Sequence, residues 1–355
     1  MRLPPATYKF PCKSDLDYVF NAVGTAWVQL KNQAIFITGG TGIIGKWLIV
    51  TLLHADRILG LGVEITILSR NPMAFCLEWP ELAADARINW ITGDVKNFEL
   101  KRYVSFSYVI HAATDVVRAN VAEELLESCI IGTSRVIKFS RLCGASRFLL
   151  LSSGAVYGKT PPELGAIPET FVGELNWFSP DSAYAEGKRV SELLCVAENA
   201  KGEMTIPIAR CFAMTGPYLP LNKHFAIGNF IDALINKKPL IIKGDGTPVR
   251  SYLYMADVAI RLWMLLFGGS GGVAYNIGSD QPISIEGLAR LIVRKFDGSL
   301  PIQIENRPTP GAHAHAYYPD TSRLRNEFGI GSGIDIEEAL EKTIVWHMLQ
   351  QRRSV

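Results

Sequence analysis

The chain has 355 residues, 48% of them hydrophobic and 20% charged, and its formal net charge is +2. That length supplies one large domain or two intimate ones, with enough apolar material for a sizeable core. A charge this close to balance gives no reason to expect a nucleic-acid partner or an anionic membrane surface.

Six cysteines stand at positions 12, 76, 129, 143, 195 and 211, with no C-x-x-C pair and no zinc spacing. They read as reduced thiols of a cytoplasmic protein with no metal site. The first fifteen residues lack the apolar stretch of a signal peptide. No run approaches the roughly 20 apolar residues that span a bilayer. The candidate at 260–267 is short and interrupted by Arg261.

Residues 1–33 form a preface in which Pro4, Pro5 and Pro11 favour extended chain and apolar spacing over 16–30 predicts a helix. Residues 34–38 are a short apolar run suited to a buried parallel strand, the glycines of 39–45 break it, and 46–59 has helical periodicity. Further strands are expected at 63–68, 88–92, 107–111, 148–152 and 206–211, with helices over 121–142 and 183–199. This alternation predicts an α/β fold on a doubly wound parallel sheet. Beyond residue 212, prolines and glycines punctuate shorter segments, with helices near 225–236, 257–267, 285–296 and 335–350. The chain therefore divides into an extension (1–33), a sheet domain (34–212, also receiving 251–278) and a smaller C-terminal lobe (213–355).

Gly39, Gly42 and Gly45 have the spacing G-x-x-G-x-x-G between a buried strand and a helix. Such a turn brings backbone N–H groups and a helix N-terminus to a dinucleotide pyrophosphate, which marks Gly39, Thr41, Gly42, Ile43, Ile44 and Gly45 as cofactor-binding. The next strand ends in Ser69-Arg70 where an NAD enzyme often has an acidic residue; Arg70 can hold a 2′-phosphate, which favours NADP over NAD. Asp94, followed by Val95, can accept a bond from the adenine amino group or simply form a turn. Tyr184 and Lys188 are four apart and share one helix face. A lysine ammonium favours a phenolate, so Lys188 beside Tyr184, with a serine at the same oxygen, suits proton transfer coupled to hydride transfer.

TGGTGIIG, GDV at 93–95, HAA at 111–113, LSSGAVYG at 151–158, SAYAEGK at 182–188 and GP at 216–217 follow one another in a specific order. In this set the chain resembles the extended short-chain dehydrogenases/reductases of the nucleotide-sugar epimerase/dehydratase family, from about residue 34 to about 350. The resemblance implies a Rossmann-like doubly wound sheet with a smaller C-terminal α/β substrate lobe, an NAD or NADP cofactor, a nucleotide-sugar substrate and a homodimer. It makes Tyr184 the acid/base, Lys188 the holder of the nicotinamide ribose and Ser153 the catalytic hydroxyl. Ala112 and Ala113 would line the cofactor. Asn222 and His224 would contact diphosphate or sugar, and Arg250 and Arg307 would grip the diphosphate. The helices near 121–142 and 183–199 would pair with their symmetry mates through residues such as Leu125, Leu126, Leu193, Leu194 and Val196. The preface lies outside the family pattern. It can cap the nucleotide site, mediate assembly or pack on the sheet.

Position by position, the same resemblance sorts the reactions. The family's 4,6-dehydratases carry Thr-Asp-Glu before V-Y-G, its UDP-glucuronate decarboxylases keep the Glu, and its 3,5-epimerase/4-reductases place a Cys there. This chain reads Ser153-Gly154-Ala155. Glycine and alanine transfer no protons, so dehydration is disfavoured, as is two-step C3/C5 epimerisation. What remains is redox chemistry at one carbon, with 4-epimerisation expected and NADPH-dependent reduction of a 4-keto sugar as the alternative. A non-catalytic NADP-sensing scaffold would normally have lost Tyr184 or Lys188. Cys129 stands where the family usually has Asn and cannot make the same two-sided hydrogen bonds.

Overall fold

Short apolar strands that feed one parallel sheet organise the molecule. The computed structural model describes residues 10–100, 105–114, 121–221, 223, 225–309, 311 and 314–351. The chain runs α1 (Lys13–Val23), a 3-10 segment (Gly24–Leu30), β1 (Ala34–Thr38), α2 (Ile43–Leu59), β2 (Glu64–Ser69), α3 (Pro72–Glu78), α4 (Pro80–Ala83) and β3 (Ile88–Thr92). Next come β4 (Tyr108–His111), α5 (Ala122–Glu127), a π-helical turn (Ser128–Gly132), α6 (Thr133–Leu142), β5 (Arg147–Ser153), α7 (Ala183–Asn199) and β6 (Ile208–Cys211). The remainder is β7 (Met214–Thr215), α8 (Ala226–Ile235), β8 (Leu240–Ile242), β9 (Val249–Arg250), β10 (Leu253–Tyr254), α9 (Met255–Gly268) and β11 (Ala274–Ile277). It closes with β12 (Ile283–Ser284), α10 (Ile285–Phe296), β13 (Ile302–Ile304), β14 (Ala316–Tyr317), α11 (Ser322–Phe328) and α12 (Ile336–Gln351).

Among the described residues the main sheet has seven strands in the order β3-β2-β1-β4-β5-β6-β11, all parallel. The fold is thus the expected Rossmann-like one. Successive side chains of a strand point to opposite faces. Ile35 and Ile37 of β1 accordingly enter one core, with α2, α9, Trp47 and Trp263, while Phe36 enters the other, with Phe139 and Phe148. The strand order reverses between β1 and β4, and the carboxyl ends of the strands at such a reversal are where open α/β sheets take their ligands. The C-terminal segments add a third core around Phe230, Leu240, Leu288 and Leu340. They also add small sheets, β8 with β13 and β12-β9-β14.

Three expected elements differ in detail. The helix expected over 121–142 is interrupted by the π-helical turn. Gly187 leaves room for this: a Cβ there would stand 2.9 Å from Cys129 Cβ. The Ser191 hydroxyl donates to the Cys129 carbonyl at 2.9 Å, replacing a partner that the widened turn misplaces. The sixth strand begins at Ile208 rather than at 206, because Pro207 has no N–H to give a ladder and the Ile206 N–H goes to Asn199 Oδ1. The helix expected over 16–30 ends as an α-helix at Val23, where Gly24 takes a positive φ of 58°, and continues as a 3-10 segment.

The preface packs on helices α2 and α9 of the sheet domain. Trp27 is fully buried, with its ring 5.1 Å from that of Trp263. Asp15 is 2% exposed and accepts from Tyr254 Oη at 2.7 Å and from Lys342 Nζ at 2.9 Å. Tyr18 Oη donates to Asp257 Oδ1 at 2.9 Å. Removing the Asp15 carboxylate leaves the buried Tyr254 hydroxyl without its acceptor and Lys342 with only Glu338, at 3.5 Å. Asp15→Ala should therefore destabilise the protein by about 2 kcal/mol, seen as a lower urea midpoint at unchanged m-value.

Candidate active site

The glycine turn is tight because no side chain fits in it. Gly39 has φ 73°, and a Cβ there would stand 2.6–2.7 Å from the backbone of Ala112 and Ala113 at the end of β4. A Cβ on Gly45 would stand 2.5 Å from Gly40 Cα. Gly42 donates its N–H to Gly39 O at 3.0 Å and starts α2 with no side-chain cap. The first N–H groups of α2, with the positive end of its dipole, are thus left for a ligand, and this cradle fits a dinucleotide pyrophosphate. Thr41 is partly exposed on the turn, whereas the Ile43 and Ile44 side chains pack on the cores and leave their backbone to the ligand. Ala113 N–H donates to Thr38 Oγ1 at 3.2 Å. His111 bridges the Thr38 and Thr133 hydroxyls at 2.8 and 3.1 Å, and burial pushes its pKa down to about 3, so it is a neutral strut.

At the adenosine side, Ser69 is half-buried at the end of β2 and Arg70 is exposed just beyond. Asp94 Oδ1 accepts the Lys96 N–H at 2.9 Å and so closes a turn. Val95 turns its side chain into the core, against Gly132. Only its backbone can meet a cofactor.

Ser153, Tyr184 and Lys188 come together across β5 and α7. Ser153 Oγ accepts from Ala155 N–H at 3.1 Å, capping a 3-10 turn over Gly154–Tyr157. Burial raises the Tyr184 pKa to about 12; only the Ser153 hydroxyl pulls the other way, so the lowering by Lys188 expected from the four-residue spacing is not seen here. Lys188 is 5% exposed, and its Nζ donates to Leu151 O at 2.7 Å and to Thr114 Oγ1 at 2.8 Å. Burial lowers its pKa. Thr114 belongs to this site, but no motif marked it, because only the closure of the β4 end onto α7 brings it to the lysine.

Beside Ser153 the space is already full. A Cβ on Gly154 would collide with Tyr317 Oη and stand 2.8 Å from Phe212 Cζ. The Phe212 and Tyr317 rings lie 5.0 Å apart. Cys211 pairs in register with Ser153, and burial pushes its thiol up to about 12, so it is no base at neutral pH. Arg250 pairs in register with Tyr317 and lies over its ring at 5.7 Å. Arg307 is exposed in the segment after β13, and no hydrogen bond or ion pair among the described residues joins it to this cluster. Asn222 and His224 lie outside the described residues. Tyr317 and Phe212 escaped the sequence reading because aromatic residues at strand ends are usually core.

A family model described as the NAD dependent epimerase/dehydratase family matches residues 35–278. UDP-glucuronic acid decarboxylase 1 of Arabidopsis thaliana is 26% identical over 88% of this chain and 69% of its own length. The solved structure of epimerase Mth375 from Methanothermobacter thermautotrophicus superposes with a TM-score of 0.78 at 24% identity, covering 94% of this chain and 97% of that one. UDP-glucuronic acid 4-epimerase from Bacillus cereus, solved with UDP-glucuronic acid and NAD, gives a TM-score of 0.73 at 22% identity over 90% and 99% of the two chains. These structural likenesses show a common fold. The family match spans well over half of the sequence and includes the glycine turn, Ser153, Tyr184 and Lys188. The chain belongs to the NAD dependent epimerase/dehydratase family.

Proposed function

We propose that this protein is a nucleotide-sugar 4-epimerase that uses a retained nicotinamide dinucleotide. The observation that carries the reading is the filled space beside Ser153. Where a dehydratase or decarboxylase of the resembling family would set an acid or base, Tyr317 and Phe212 occupy the volume over Gly154, and Ala155 offers a methyl group. Ser153 and Tyr184 remain as the proton-transferring pair at one C–O bond. A bound nicotinamide would supply hydride acceptance and return. Ser153 orients the sugar hydroxyl, and Tyr184 takes its proton and later gives it back. Lys188, fixed by Leu151 and Thr114 one helical turn after Tyr184, would hold the nicotinamide ribose. Arg250 would meet the diphosphate, as a planar fork of N–H donors suits phosphate oxygens.

Two observations favour the alternative, an NADPH-dependent 4-ketosugar reductase. Burial holds Tyr184 protonated, which suits an acid that completes ketone reduction, and Arg70 stands exposed where a 2′-phosphate would lie. Identifying the dinucleotide released from denatured protein separates the two. Retained NAD supports the epimerase, and an empty site that takes up NADPH supports the reductase.

The face of α5, the π-turn and α7 suits a homodimer. Leu193 and Val196 are 66% and 40% exposed and Ile131 is 48% exposed, while Leu125 and Leu126 are half-buried and Leu194 packs on the core. Leu193→Glu should shift sedimentation from dimer to monomer.

Incubation with UDP-glucose or UDP-glucuronic acid, followed by NMR, should show a C4 epimer without carbon dioxide or water release; either release would overturn the proposal. Tyr184→Phe should lower kcat by about 10²–10⁴-fold with the fold intact. Gly39→Ala, which forces a Cβ into the β4 backbone, should weaken dinucleotide binding by at least about tenfold in a fluorescence titration.

A further inference from the structure

Arg250 occupies the middle strand of the β12-β9-β14 sheet, and its charge is unbalanced. No carboxylate pairs with it among the described residues, although its guanidinium is half-buried over the Tyr317 ring. A half-buried cation without a counter-ion calls for an anionic ligand.

The guanidinium is held by one corner only. Nη1 has two N–H groups for three acceptors: one goes to Val249 O at 2.8 Å, and the other is shared between His315 O at 3.1 Å and His315 Nδ1 at 3.3 Å. Arginine only donates, so Nδ1 accepts and the ring proton sits on Nε2. Burial and the Arg250 charge both depress the His315 pKa, which favours the neutral imidazole, a form with one ring nitrogen free to accept. The hydrogen bonds that Arg250 makes among the described residues all use Nη1. Its Nε and Nη2 therefore form an edge with three N–H groups to give. The opposite end of this arrangement is Tyr317, whose Oη reaches the space over Gly154 beside Ser153. From the exposed rim inward, the order is His315, Arg250, Tyr317, Ser153.

We propose that His315 is a positioning residue that clamps Nη1 of Arg250 from the neighbouring strand, so that the free Nε–Nη2 edge makes a two-point grip on the diphosphate of a nucleoside-diphosphate sugar. The inference rests on the nucleotide-sugar reading above. A guanidinium aimed before binding loses less side-chain freedom when the anion arrives. The clamp needs a hydrogen-bond acceptor at the Nδ1 position and nothing else from the imidazole. Asparagine at 315 can place an amide oxygen there, and alanine cannot.

The test is calorimetric titration of the full chain with UDP, dTDP, GDP and CDP, together with steady-state kinetics on UDP-glucose and UDP-glucuronic acid. His315→Ala should weaken the nucleoside diphosphate that binds the wild type by about tenfold and raise KM in step, with kcat within about twofold. His315→Asn should recover affinity to within about threefold of wild type. Combined with Arg250→Ala, His315→Ala should add little further loss, because both act through one guanidinium. Unchanged affinity in His315→Ala, equal losses in the alanine and asparagine variants, or fully additive losses with Arg250→Ala would each overturn the clamp while leaving the nucleotide-sugar reading intact. A wild-type protein that binds none of the four nucleoside diphosphates would overturn that reading, and the clamp with it.

Discussion

Backbone approaching backbone at the β1–α2 turn is the constraint on which the rest of the structure depends. Gly39 lies against the Ala112–Ala113 peptide, and Gly45 against Gly40. Because no Cβ intervenes, α2 can start directly over the end of β1, and β4 can pass close beneath. That juncture is also where the strand order reverses. The uncapped helix N-terminus and the end of β4 that carries Thr114 to Lys188 are both consequences of one turn too narrow for a side chain.

Burial sets the electrostatics of the reacting end. It raises the Tyr184 phenol and the Cys211 thiol and lowers the Lys188 ammonium, each toward its neutral form. Polar contacts work against it: Ser153 toward the phenolate, and two oxygen acceptors around the ammonium. A charged ligand entering such a pocket meets a phenol and a thiol that burial holds protonated. Tyr317 adds a steric condition by occupying the side of Ser153 where related chemistry would need a carboxylate.

Much of this was legible in the sequence because it rests on local patterns. A glycine spacing between an apolar run and a helical period marks a turn, and a four-residue interval puts Tyr184 and Lys188 on one face whatever the surroundings. The strands alternating with helices gave the sheet for the same reason. Harder to see were the features made by meetings of distant segments. Thr114 meets Lys188, and Tyr317 meets Gly154, only after the sheet and the C-terminal lobe have closed. The π-turn depends on Gly187 and Ser191, some sixty residues further on. Element ends shifted for physical causes the periodicity does not weigh, as where Pro207 withholds a ladder N–H. Glycine at 154 illustrates both sides. The sequence showed that it carries no acid, and in the structure Tyr317 and Phe212 fill the place of its missing side chain.

The preface also bears on how the chain assembles in time. Asp15 bonds Tyr254, 239 residues away, and Lys342, 327 residues away. Contacts that long in sequence form late, since the loop they close carries its entropy cost before any packing rewards it. During synthesis α1 can meet α2 early, through Asp17 and His54 at 2.9 Å, while its Asp15 carboxylate would stay hydrated until Tyr254 and Lys342 arrive. Closing the Asp15 pair would then register that both β10 and α12 are in place.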